Sequence, residues 1–378
     1  MKIFHVSDTH LGYSAYRKVT DEGINQREID AYNAFEDFVN QAIKNKPDLI
    51  VHAGDLFDSV RPNNRAITFA VKQLLRISKA QIPFVIIAGN HEQPKLKETG
   101  HIFSIFDHME NIYPIYNEKY ESIDFKINSE KITVHALPQN TSKKLFNEEI
   151  KKIQTNKQSD YNILIAHGSV TGVQNFTMNE FNELIIPTRS LSKEFDYIAL
   201  GHFHSFTRIT NNAYYAGSTE RFTFTDAPDK KGFIQINLEK SKLKTEFFEL
   251  DNREMVDTKP IKCSNLGLDE FMKKIKETIK EAKPKEKTIR MTLENIPVHI
   301  YRGIDFNEIR LLSSDAIHLE MKANVIKDEN QIQTSSKIDA LATEFKLFLD
   351  KSELADKEII LELGIGYIEK NELRNEGK

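Results

Sequence analysis

Short apolar runs and longer amphipathic stretches alternate from the first residue to about residue 250. Five runs have the length and the Ile and Val content of buried strands: Ile3–Val6, Leu49–Val51, Phe84–Ile87, Ile163–Ile165 and Tyr197–Leu200. Between them, apolar residues recur at helical spacing over Arg27–Lys44 and Asn64–Lys79. The predicted apolar faces consist of Ile29, Tyr32, Phe35, Phe38, Val39 and Ile43, and of Ile67, Val71, Leu74, Leu75 and Ile77. This alternation predicts an α/β fold, with a mainly parallel sheet and helices on its faces.

The pattern changes twice in the second half of the chain. Short strands are predicted at Ala213–Tyr215, Phe233–Asn237 and Thr245–Glu249, where they are expected to complete a second sheet. The part of the chain up to about residue 250 is therefore interpreted as a two-sheet sandwich flanked by helices. Beyond it, the order is strand, basic helix, strand, helix or turn, and strand, with the regular elements at Leu268–Lys283, Lys287–Glu294 and Ala316–Val325. This order predicts a small α+β capping domain.

The end of the chain resembles a helical tail behind a linker. We predict domains at residues 1–252 and 253–327, a polar linker at 328–336 and a tail at 337–378. An apolar stripe in the tail consists of Ile338, Leu341, Phe345, Phe348 and Leu349. A second short helix is indicated by Ile359, Ile360, Leu363, Tyr367 and Ile368. The stripe either packs on the parent domain or docks on a partner, and the linker before it favours a partner.

Each of the five strand-like runs ends in side chains that bind metals. In chain order the clusters are Asp8-Thr9-His10, Gly54-Asp55, Gly89-Asn90-His91-Glu92, His167-Gly168 and Gly201-His202-Phe203-His204. Because ligands bind at the carboxyl ends of the strands in open α/β sheets, we expect these clusters to converge on one edge of one sheet. The candidate ligands are Asp8, His10, Asp55, Asn90, His167, His202 and His204. Seven ligands suffice for two ions, which predicts a metal-dependent hydrolase.

The types of ligand narrow the choice of metal. Imidazole, carboxylate and amide groups without sulfur favour two Mn²⁺ ions, with Fe, Mg²⁺ or Zn²⁺ as alternatives. Asp55 is the natural bridging ligand because a carboxylate has two oxygens. Two ions about 3.5–4 Å apart can clamp the attacking and leaving oxygens of a phosphoester. The chain has 12 histidines, and a lone one is more often structural. Five coincidences at strand ends argue against that explanation here.

Composition restricts the environment and the partners. The formal net charge of −4 gives no overall attraction to nucleic acid, so any DNA contact must come from local patches. Cys263 is the single cysteine, which fits a reducing cytoplasm and excludes thiolate metal sites. No apolar run approaches the roughly 20 residues of a membrane span, so no membrane partner is expected.

The motifs resemble those of the calcineurin-like metallophosphoesterase superfamily, D-x-H, G-D-x-x-[D/H], G-N-H-[E/D], H and G-H-x-H, over roughly residues 1–250. The resemblance implies that one metal is bound by Asp8, His10, Asp55 and His204, and the other by Asp55, Asn90, His167 and His202. It also implies that His91 protonates the leaving oxygen or stabilises the transition state. Asp58 occupies a position where many nuclease members have histidine.

Two neighbouring positions favour a phosphodiester substrate. Protein phosphatases of the superfamily place arginine after G-D-x-x-D and before G-N-H-E, where it neutralises a dianionic monoester. Here those positions are Ser59 and Ala88. A monoanionic diester needs less positive charge, so a phosphodiesterase is the preferred interpretation.

Further stretches resemble the meiotic-recombination-eleven (SbcD-type) double-strand-break repair nucleases, especially their archaeal form. They are HLGY at 10–13, REID at 27–30, AGDLFD at 53–58 with RP at 61–62, and YAGSTER at 215–221. This resemblance implies a Mn²⁺-dependent 3′–5′ exonuclease and endonuclease acting on double- and single-stranded DNA ends. It also implies a homodimer, a Rad-fifty/SbcC-type coiled-coil ATPase partner and a prokaryotic, nucleoid-associated protein.

Contacts to DNA and to a second subunit are less well defined. Tyr13, Tyr16, Arg17 and Lys18 lie in a basic and aromatic loop, and Arg61 lies in a motif of the resemblance, so these five residues are candidate DNA contacts. The loop is equally compatible with an ordinary surface connection, and the basic residues of Lys273–Arg290 are more simply explained as a solvated helix face than as a DNA contact. Ile102, Phe103, Ile105 and Phe106 cannot all lie on one helix face, which suggests either a dimer contact or burial from two sides.

Two rival functions remain at this point. One is a phosphatase or nucleotide phosphodiesterase acting on small substrates. The other is a non-catalytic scaffold that recruits an ATPase to DNA, against which the complete ligand set and His91 both argue. The sequence has no Gly-rich loop ending in Lys-Ser/Thr, so any dependence on ATP must come from a partner.

Overall fold

The computed structural model describes residues 1–171, 184–191, 194–239, 242–326, 345–346, 349 and 357–373. Of the predicted partner-binding stripe, Ile338, Leu341 and Phe348 lie outside the described residues, as does the predicted linker. None of the helices in the described part of the chain is both long and apolar enough to cross a membrane.

The regular elements alternate along the chain much as the apolar pattern predicts. The strands are β1 (Lys2–Val6), β2 (Leu49–His52), β3 (Phe84–Ile87), β4 (Ile112–Ile115), β5 (Glu121–Ile127), β6 (Glu130–Leu137), β7 (Tyr161–His167), β8 (Ser169–Val170), β9 (Ile185–Ile186), β10 (Tyr197–Gly201), β11 (Thr207–Arg208), β12 (Ala213–Tyr215), β13 (Gly232–Glu239), β14 (Lys242–Glu249), β15 (Met255–Asp257), β16 (Ile261–Lys262), β17 (Thr288–Pro297) and β18 (His318–Ile326). The α-helices are α1 (Gln26–Asn45), α2 (Asn64–Lys79), α3 (Lys143–Ile150), α4 (Leu268–Ala282), α5 (Val298–Arg302), α6 (Phe306–Leu312) and α7 (Lys357–Leu373).

The first sheet has the strand order β14-β13-β1-β2-β3-β4. Strands β1 to β4 are parallel, so that Ile3 lies opposite Leu49 and Ile50 opposite Phe84. On the other side of β1, the hairpin β13–β14 adds two antiparallel strands, with Ile236 opposite Ile3. The prediction that this hairpin completes the second sheet is therefore wrong. Its side chains pair with the first strand of the chain, and no local pattern indicates such a distant partner.

The second sheet has the strand order β11-β12-β10-β7-β6-β5. Strands β6, β7, β10 and β12 are parallel, and β5 and β11 are antiparallel to their neighbours. Of the three short strands expected here, only β12 belongs to this sheet. The predicted two-sheet sandwich is confirmed, with a different division of its strands.

Apolar side chains fill three layers around the two sheets. Ile3 and Val51 of the first sheet are buried together with Ile163 and Ile165 of the second, so a shared core lies between the sheets. A second core lies between the first sheet and helices α1 and α2, and a third covers the outer face of the second sheet. Strands β1, β2, β3, β7 and β10 are buried on both faces, which explains why they have apolar runs instead of alternation.

The two long helices agree with their predicted ranges. Helix α1 buries Tyr32, Phe35, Phe38 and Val39, and α2 buries Leu74 and Ile77, as their periodicity predicts. The assignment of Leu75 to the buried face of α2 is wrong, because this residue is 41% exposed. Of the apolar group near residue 100, Phe103 and Phe106 are in the core, Ile102 packs against it, and Ile105 is 39% exposed.

The described residues form two compact units. The larger comprises Met1–Ile261, Lys273–Thr292 and Asp305–Lys322, and the smaller comprises Lys262–Met272, Leu293–Ile304 and Ala323–Lys378. The predicted order of elements after residue 260 is confirmed by β16, α4, β17, α5, α6 and β18. The domain boundaries proposed from the sequence stay predictions.

The tail belongs to the smaller unit. Its helix α7 confirms the second short helix predicted there. The ring of Phe345 lies so close to Gly364 of this helix that a Cβ at Gly364 would overlap it. Leu349 is buried, with 3% of its surface exposed. Phe345 and Leu349 of the predicted partner stripe therefore have contacts within the chain.

Candidate metal centre

The predicted ligands follow the carboxyl ends of strands from both sheets. Asp8 and His10 follow β1, Asp55 follows β2 and Asn90 follows β3 of the first sheet; His167 ends β7, while His202 and His204 follow β10 of the second. The expectation that all the ligands lie at the edge of a single sheet is therefore wrong, because strands of both sheets contribute them. The two sheets face each other across the shared core, so their carboxyl edges meet and the ligands converge as predicted.

Unusual backbone conformations turn the ligands toward one another. Asp8, His10 and Asp55 have φ values of 52°, 44° and 56°. These lie in the left-handed region, which residues other than glycine rarely adopt. The loops stabilise one another, because the Asp8 N–H donates to the carbonyl of Gly54 at 3.0 Å and the His10 N–H to that of Asp55 at 3.1 Å. Strain of this kind is typical of functional sites. It allows Asp8 and His10, two residues apart, to face the same position.

One group of ligand atoms comes from Asp8, His10 and His204. The Nε2 atoms of His10 and His204 are 3.2 Å apart. The carboxylate of Asp8 is fixed from behind, since its oxygens accept the backbone N–H of His202 at 3.0 Å and the Ser7 hydroxyl at 2.5 Å. Two imidazole nitrogens that point at each other from a buried position fit a cation between them.

A second group comes from Asp55, Asn90, His167 and His202. The side-chain oxygen of Asn90 lies 2.9 Å from Nε2 of His167 and 3.1 Å from Nδ1 of His202. The Oδ2 atom of Asp55 lies 3.3 Å from Nε2 of His167 and 3.8 Å from Nε2 of His10. Asp55 therefore faces both groups, which is the position of a bridging ligand. Carboxylate, amide and imidazole donors in this arrangement fit a pair of divalent cations.

The charges within the site also suit metal ligands. Burial, followed by the charge of His167, lowers the pKa of His202 to about 3, so its imidazole is neutral. Burial likewise lowers the pKa of His10. Burial opposes the charged form of His167, but the carboxylate of Asp55 outweighs it and raises that pKa to about 10. A cation beside Asp55 would displace this proton, so metal binding here is coupled to proton release.

Glycines permit the close approach of the loops. A Cβ atom on Gly89 would overlap the Oδ1 and the backbone nitrogen of Asp55. Gly54 has a φ of +96°, and a Cβ on it would overlap Nδ1 of His167. That nitrogen lies 2.8 Å from the carbonyl of Ala53 and donates to it, which directs Nε2 toward the ligand group.

Glu92 is a functional residue whose role the sequence did not reveal. Its Oε1 accepts the N–H of Leu56 at 3.2 Å and that of Gly89 at 3.1 Å, so it joins the Asp55 loop to the Asn90 loop. The side chain is fully buried. Its place in G-N-H-E marked it as part of a motif, but only the fold shows that its partners are backbone groups.

His91 lies at the open side of the site. Its backbone N–H donates to Oδ1 of Asp55 at 3.0 Å, and its ring Nδ1 lies 3.0 Å from the carbonyl of Asp58. The side chain is 32% exposed, whereas those of His10, Asp55 and His167 are at most 3% exposed. Asp58, which departs from the histidine of many nucleases, has its Oδ1 3.2 Å from Nδ1 of His10. Asp58 is thus placed to orient a metal ligand.

The predicted DNA contacts are arranged in different ways. Tyr13 packs edge-on against Phe222, which also contacts His10, and its hydroxyl donates to the Phe222 carbonyl at 2.7 Å. The ring of Tyr16 stacks on His318 at 4.0 Å between centroids. Arg17, Lys18 and Arg61 are exposed. Phe222 and His318 were not predicted, because they join the loop from positions about two hundred or more residues further along the chain.

A family model described as calcineurin-like phosphoesterase matches residues 1–206. This range contains all seven predicted ligands and His91, and it exceeds half of the 378 residues. The chain belongs to the calcineurin-like phosphoesterase family. It is therefore a metal-dependent hydrolase of phosphate esters, and the predicted fold class and enzyme class are confirmed.

Several curated relatives carry the name DNA double-strand break repair protein Mre11. One from Methanococcus maripaludis is 26% identical over 370 residues, which cover 94% of this chain and 92% of the relative. One from Saccharolobus solfataricus is 33% identical over 56% of this chain and 51% of the relative. One from Sulfurisphaera tokodaii is 34% identical over 54% of this chain and 49% of the relative. The chain thus spans nearly all of the first relative and about half of the other two, and the resemblance inferred from the motifs is confirmed.

Proposed function

We propose that this protein is a DNA nuclease that processes the ends of double-strand breaks. Its reaction would be hydrolysis of phosphodiester bonds with two divalent ions, of which Mn²⁺ is the proposed metal. The relatives that match this chain are named for double-strand break repair, which supports DNA as the substrate. We include the 3′–5′ exonuclease and endonuclease activities in the proposal because the motif resemblance implies both.

The observation that most supports the proposal is the position of Asp55. Its carboxylate faces both ligand groups, with Oδ2 3.8 Å from Nε2 of His10 and 3.3 Å from Nε2 of His167. Bound divalent ions would supply Lewis-acid stabilisation of charge on the phosphoryl oxygens. The chain's own contribution is to hold seven donors in a fixed arrangement before the substrate arrives, which lowers the cost of reorganisation.

His91 is the proposed acid at the leaving oxygen. Nδ1 of His91 donates its proton to the carbonyl of Asp58 at 3.0 Å. Nε2, the opposite ring nitrogen, therefore faces away from this contact. At 32% exposure the ring of His91 is accessible to a substrate, whereas a fully buried ring such as that of His167 is not. Removing such a group typically lowers the rate by about 10²–10⁴-fold.

The surroundings of the site support a diester substrate. The residues that would bear arginine in a phosphatase are Ser59 and Ala88. Tyr13 is a partly exposed aromatic ring that packs on the buried Phe222 beside His10. Aromatic rings next to a phosphate site suit nucleotides, because every base has a π-face that stacks. Tyr16, Arg17, Lys18 and Arg61 remain proposed contacts to the DNA backbone.

We further propose two protein partners. One is a second copy of this chain, in a homodimer that uses exposed apolar side chains such as Ile105 and Leu75. The other is a Rad-fifty/SbcC-type coiled-coil ATPase, which the tail would bind. Since Phe345 and Leu349 have contacts within the chain, docking would use the outward faces of the tail, such as Ile359 and Leu363, which are 59% and 60% exposed.

The test is the release of nucleotides from an end-labelled DNA duplex with Mn²⁺, with EDTA and a His91→Asn protein in parallel. Mn²⁺-dependent release that falls about 10²–10⁴-fold in the variant is expected. The variant should bind Mn²⁺ as the wild type does, because His91 is not one of the predicted ligands.

Other outcomes would redirect the proposal. Hydrolysis of small phosphate esters without cleavage of DNA would favour a phosphatase. Absence of both activities, even with the partner ATPase added, would favour a scaffold. Activity that survives EDTA would contradict the two-metal site.

A further inference from the structure

A fully buried lysine lies directly behind the ligand His204. The side chain of Lys231 has none of its surface exposed. A buried ammonium group is costly unless it is paired and hydrogen-bonded. Here Nζ donates to Oδ1 of Asp226 at 2.9 Å and to the backbone carbonyl of His204 at 2.7 Å, and Oδ2 of Asp229 lies at 3.6 Å. None of the roles described above uses this lysine, which follows the site by about thirty residues.

Asp226 connects this lysine to the imidazole of His204. Its Oδ2 accepts the backbone N–H of Phe222 at 3.1 Å and that of Thr223 at 2.9 Å, which fix the plane of the carboxylate. The same oxygen lies 3.8 Å from Nδ1 of His204. Its other oxygen, Oδ1, accepts the hydrogen bond of the Lys231 ammonium at 2.9 Å. The group is therefore a carboxylate that accepts hydrogen bonds.

The two ring nitrogens of His204 face different neighbours. Nε2 points toward the first ligand group, 3.2 Å from Nε2 of His10, whereas Nδ1 is on the side of Asp226. A neutral imidazole has one N–H, and the nitrogen that binds a metal must be without it. A carboxylate at Nδ1 therefore favours the tautomer that leaves Nε2 ready to bind.

Packing alone does not fix His204. Its side chain is 16% exposed, while that of His167 is fully buried. His167 is oriented by a backbone carbonyl, that of Ala53 at 2.8 Å. For His204 the acceptor nearest Nδ1 in the ion pair is the carboxylate of Asp226 at 3.8 Å, and Lys231 holds both that carboxylate and the backbone of the histidine itself.

We propose that Asp226 and Lys231 form a positioning pair that sets the orientation and tautomer of His204. The pair thereby controls the affinity of the metal position that Asp8, His10 and His204 form, and not that of the position around Asn90 and His167. This inference rests on the proposed metal site and adds to it the residues that support one of its halves.

The first experiment titrates the metal-free full chain with Mn²⁺ in a calorimeter. The wild type is expected to bind in two steps. Asp226→Asn is expected to weaken one step by about 10- to 100-fold, the usual cost of losing a partner of a ligating histidine, and to leave the other within about twofold. Lys231→Met is expected to weaken the same step.

Asp229→Asn is the matched control. Asp229 lies near Lys231 and accepts the hydroxyl of Ser205, and among the described residues its carboxylate forms no hydrogen bond or ion pair with the ring of His204. Both steps should stay within about twofold of the wild type. Equal weakening of both steps by Asp226→Asn, or an isotherm like that of Asp229→Asn, would overturn the proposal.

The second experiment needs no substitution at Asp226, so a folding failure cannot obscure it. Nitrogen NMR of histidine-labelled, metal-free protein reports the tautomer of each ring, and a His204→Gln sample assigns the signal. A proton on Nδ1 of His204 is expected, and a proton on Nε2 would overturn the proposal. If the wild type binds no Mn²⁺, the proposed function fails, while this spectrum still decides the positioning role.

Discussion

At the scale of single residues, Asp55 has the largest number of roles in the site. Its Oδ1 accepts the N–H of His91 at 3.0 Å, and its Oδ2 lies 3.3 Å from His167. Its backbone carbonyl accepts the N–H groups of Thr9 and His10. One residue thus fixes the loop that follows β1, the bridging carboxylate and the position of the proposed acid. A change of about 1 Å here would disturb all three.

Substitution of Gly89 tests this dependence. A Cβ at Gly89 would overlap Oδ1 and the backbone nitrogen of Asp55, so Gly89→Ala must displace the bridging carboxylate. We expect phosphodiesterase activity to fall at least about 10²-fold, since misplacement near 1 Å has that cost. The control is Gly267→Ala, because a Cβ at Gly267 has no atom within 4 Å. Equal activity of the two variants in a steady-state assay would contradict the expected role of Gly89.

His101 gives a pH dependence outside the metal site. Burial lowers the pKa of its imidazole from 6.5 to about 4. Its Nδ1 accepts the N–H of Phe103 at 3.1 Å, which requires an unprotonated nitrogen. Below about pH 6.5 His101 is protonated in the unfolded chain but stays neutral in the folded chain. The free energy of unfolding therefore decreases as the pH falls toward 4.

The variant His101→Asn isolates this effect, because asparagine accepts the same N–H without titrating. Between about pH 7 and pH 4.5, the free energy of unfolding of the wild type should fall by about 1–2 kcal/mol relative to the variant. Urea unfolding at several pH values measures the difference. Parallel curves for the two proteins would show that His101 does not titrate in this way.

At the scale of elements, α2 shows what helical periodicity can and cannot determine. Its range was predicted without error, and its Asn63 cap accepts the N–H of Ala66 at 2.8 Å. Its face was predicted less accurately, since Leu74 is fully buried and Leu75 is 41% exposed. Successive residues differ by about 100° around a helix, so the margin of an apolar stripe depends on what packs against it.

These adjacent leucines form a matched pair. Leu74→Ala removes a side chain from the core between α1, α2 and the first sheet, and should lower the free energy of unfolding by about 2–5 kcal/mol. Leu75→Ala should change it by less than about 0.5 kcal/mol in a monomer. Urea unfolding at two protein concentrations measures both. A larger, concentration-dependent cost for Leu75→Ala would instead place this side chain in the proposed homodimer interface.

At the scale of the whole molecule, the site joins sequence segments that are far apart. Its proposed ligands extend from Asp8 to His204, and the proposed positioning pair behind His204 extends to Lys231. Ions bound there would link the carboxyl edges of both sheets. Because the unfolded chain does not hold these donors together, metal binding stabilises the folded state.

Metal addition should therefore raise the melting temperature. At Mn²⁺ near 100 times the dissociation constant, the expected stabilisation is about 2.7 kcal/mol, and EDTA should reverse it. Asp55→Asn weakens the bridging ligand, so most of this increase should be lost in that variant. Thermal unfolding followed by circular dichroism measures the shift. The same increase in wild type and variant would mean that Mn²⁺ binds elsewhere.

The elements and the convergence of the proposed ligands could be predicted because their signals are local. The range of α2 follows from apolar spacing within one segment, and Asp8 and His10 stand directly after a strand-like run. The same holds for Asp55 after β2 and for His202 after β10. Carboxyl ends of strands collect ligands in this class of fold, so the sequence predicted which side chains meet without giving their distances.

Only the tertiary structure determined how distant segments pair. The hairpin β13–β14 joins the first sheet because Ile236 lies opposite Ile3, and nothing near either residue encodes that partner. Three other features also depend on pairing between distant segments. They are the division of the proposed ligands between two sheets, the aromatic contact of Phe222 with His10, and the proposed support of His204 by Lys231. Each depends on which surfaces bury one another when the chain closes, a property of the packed core that no short window of sequence contains.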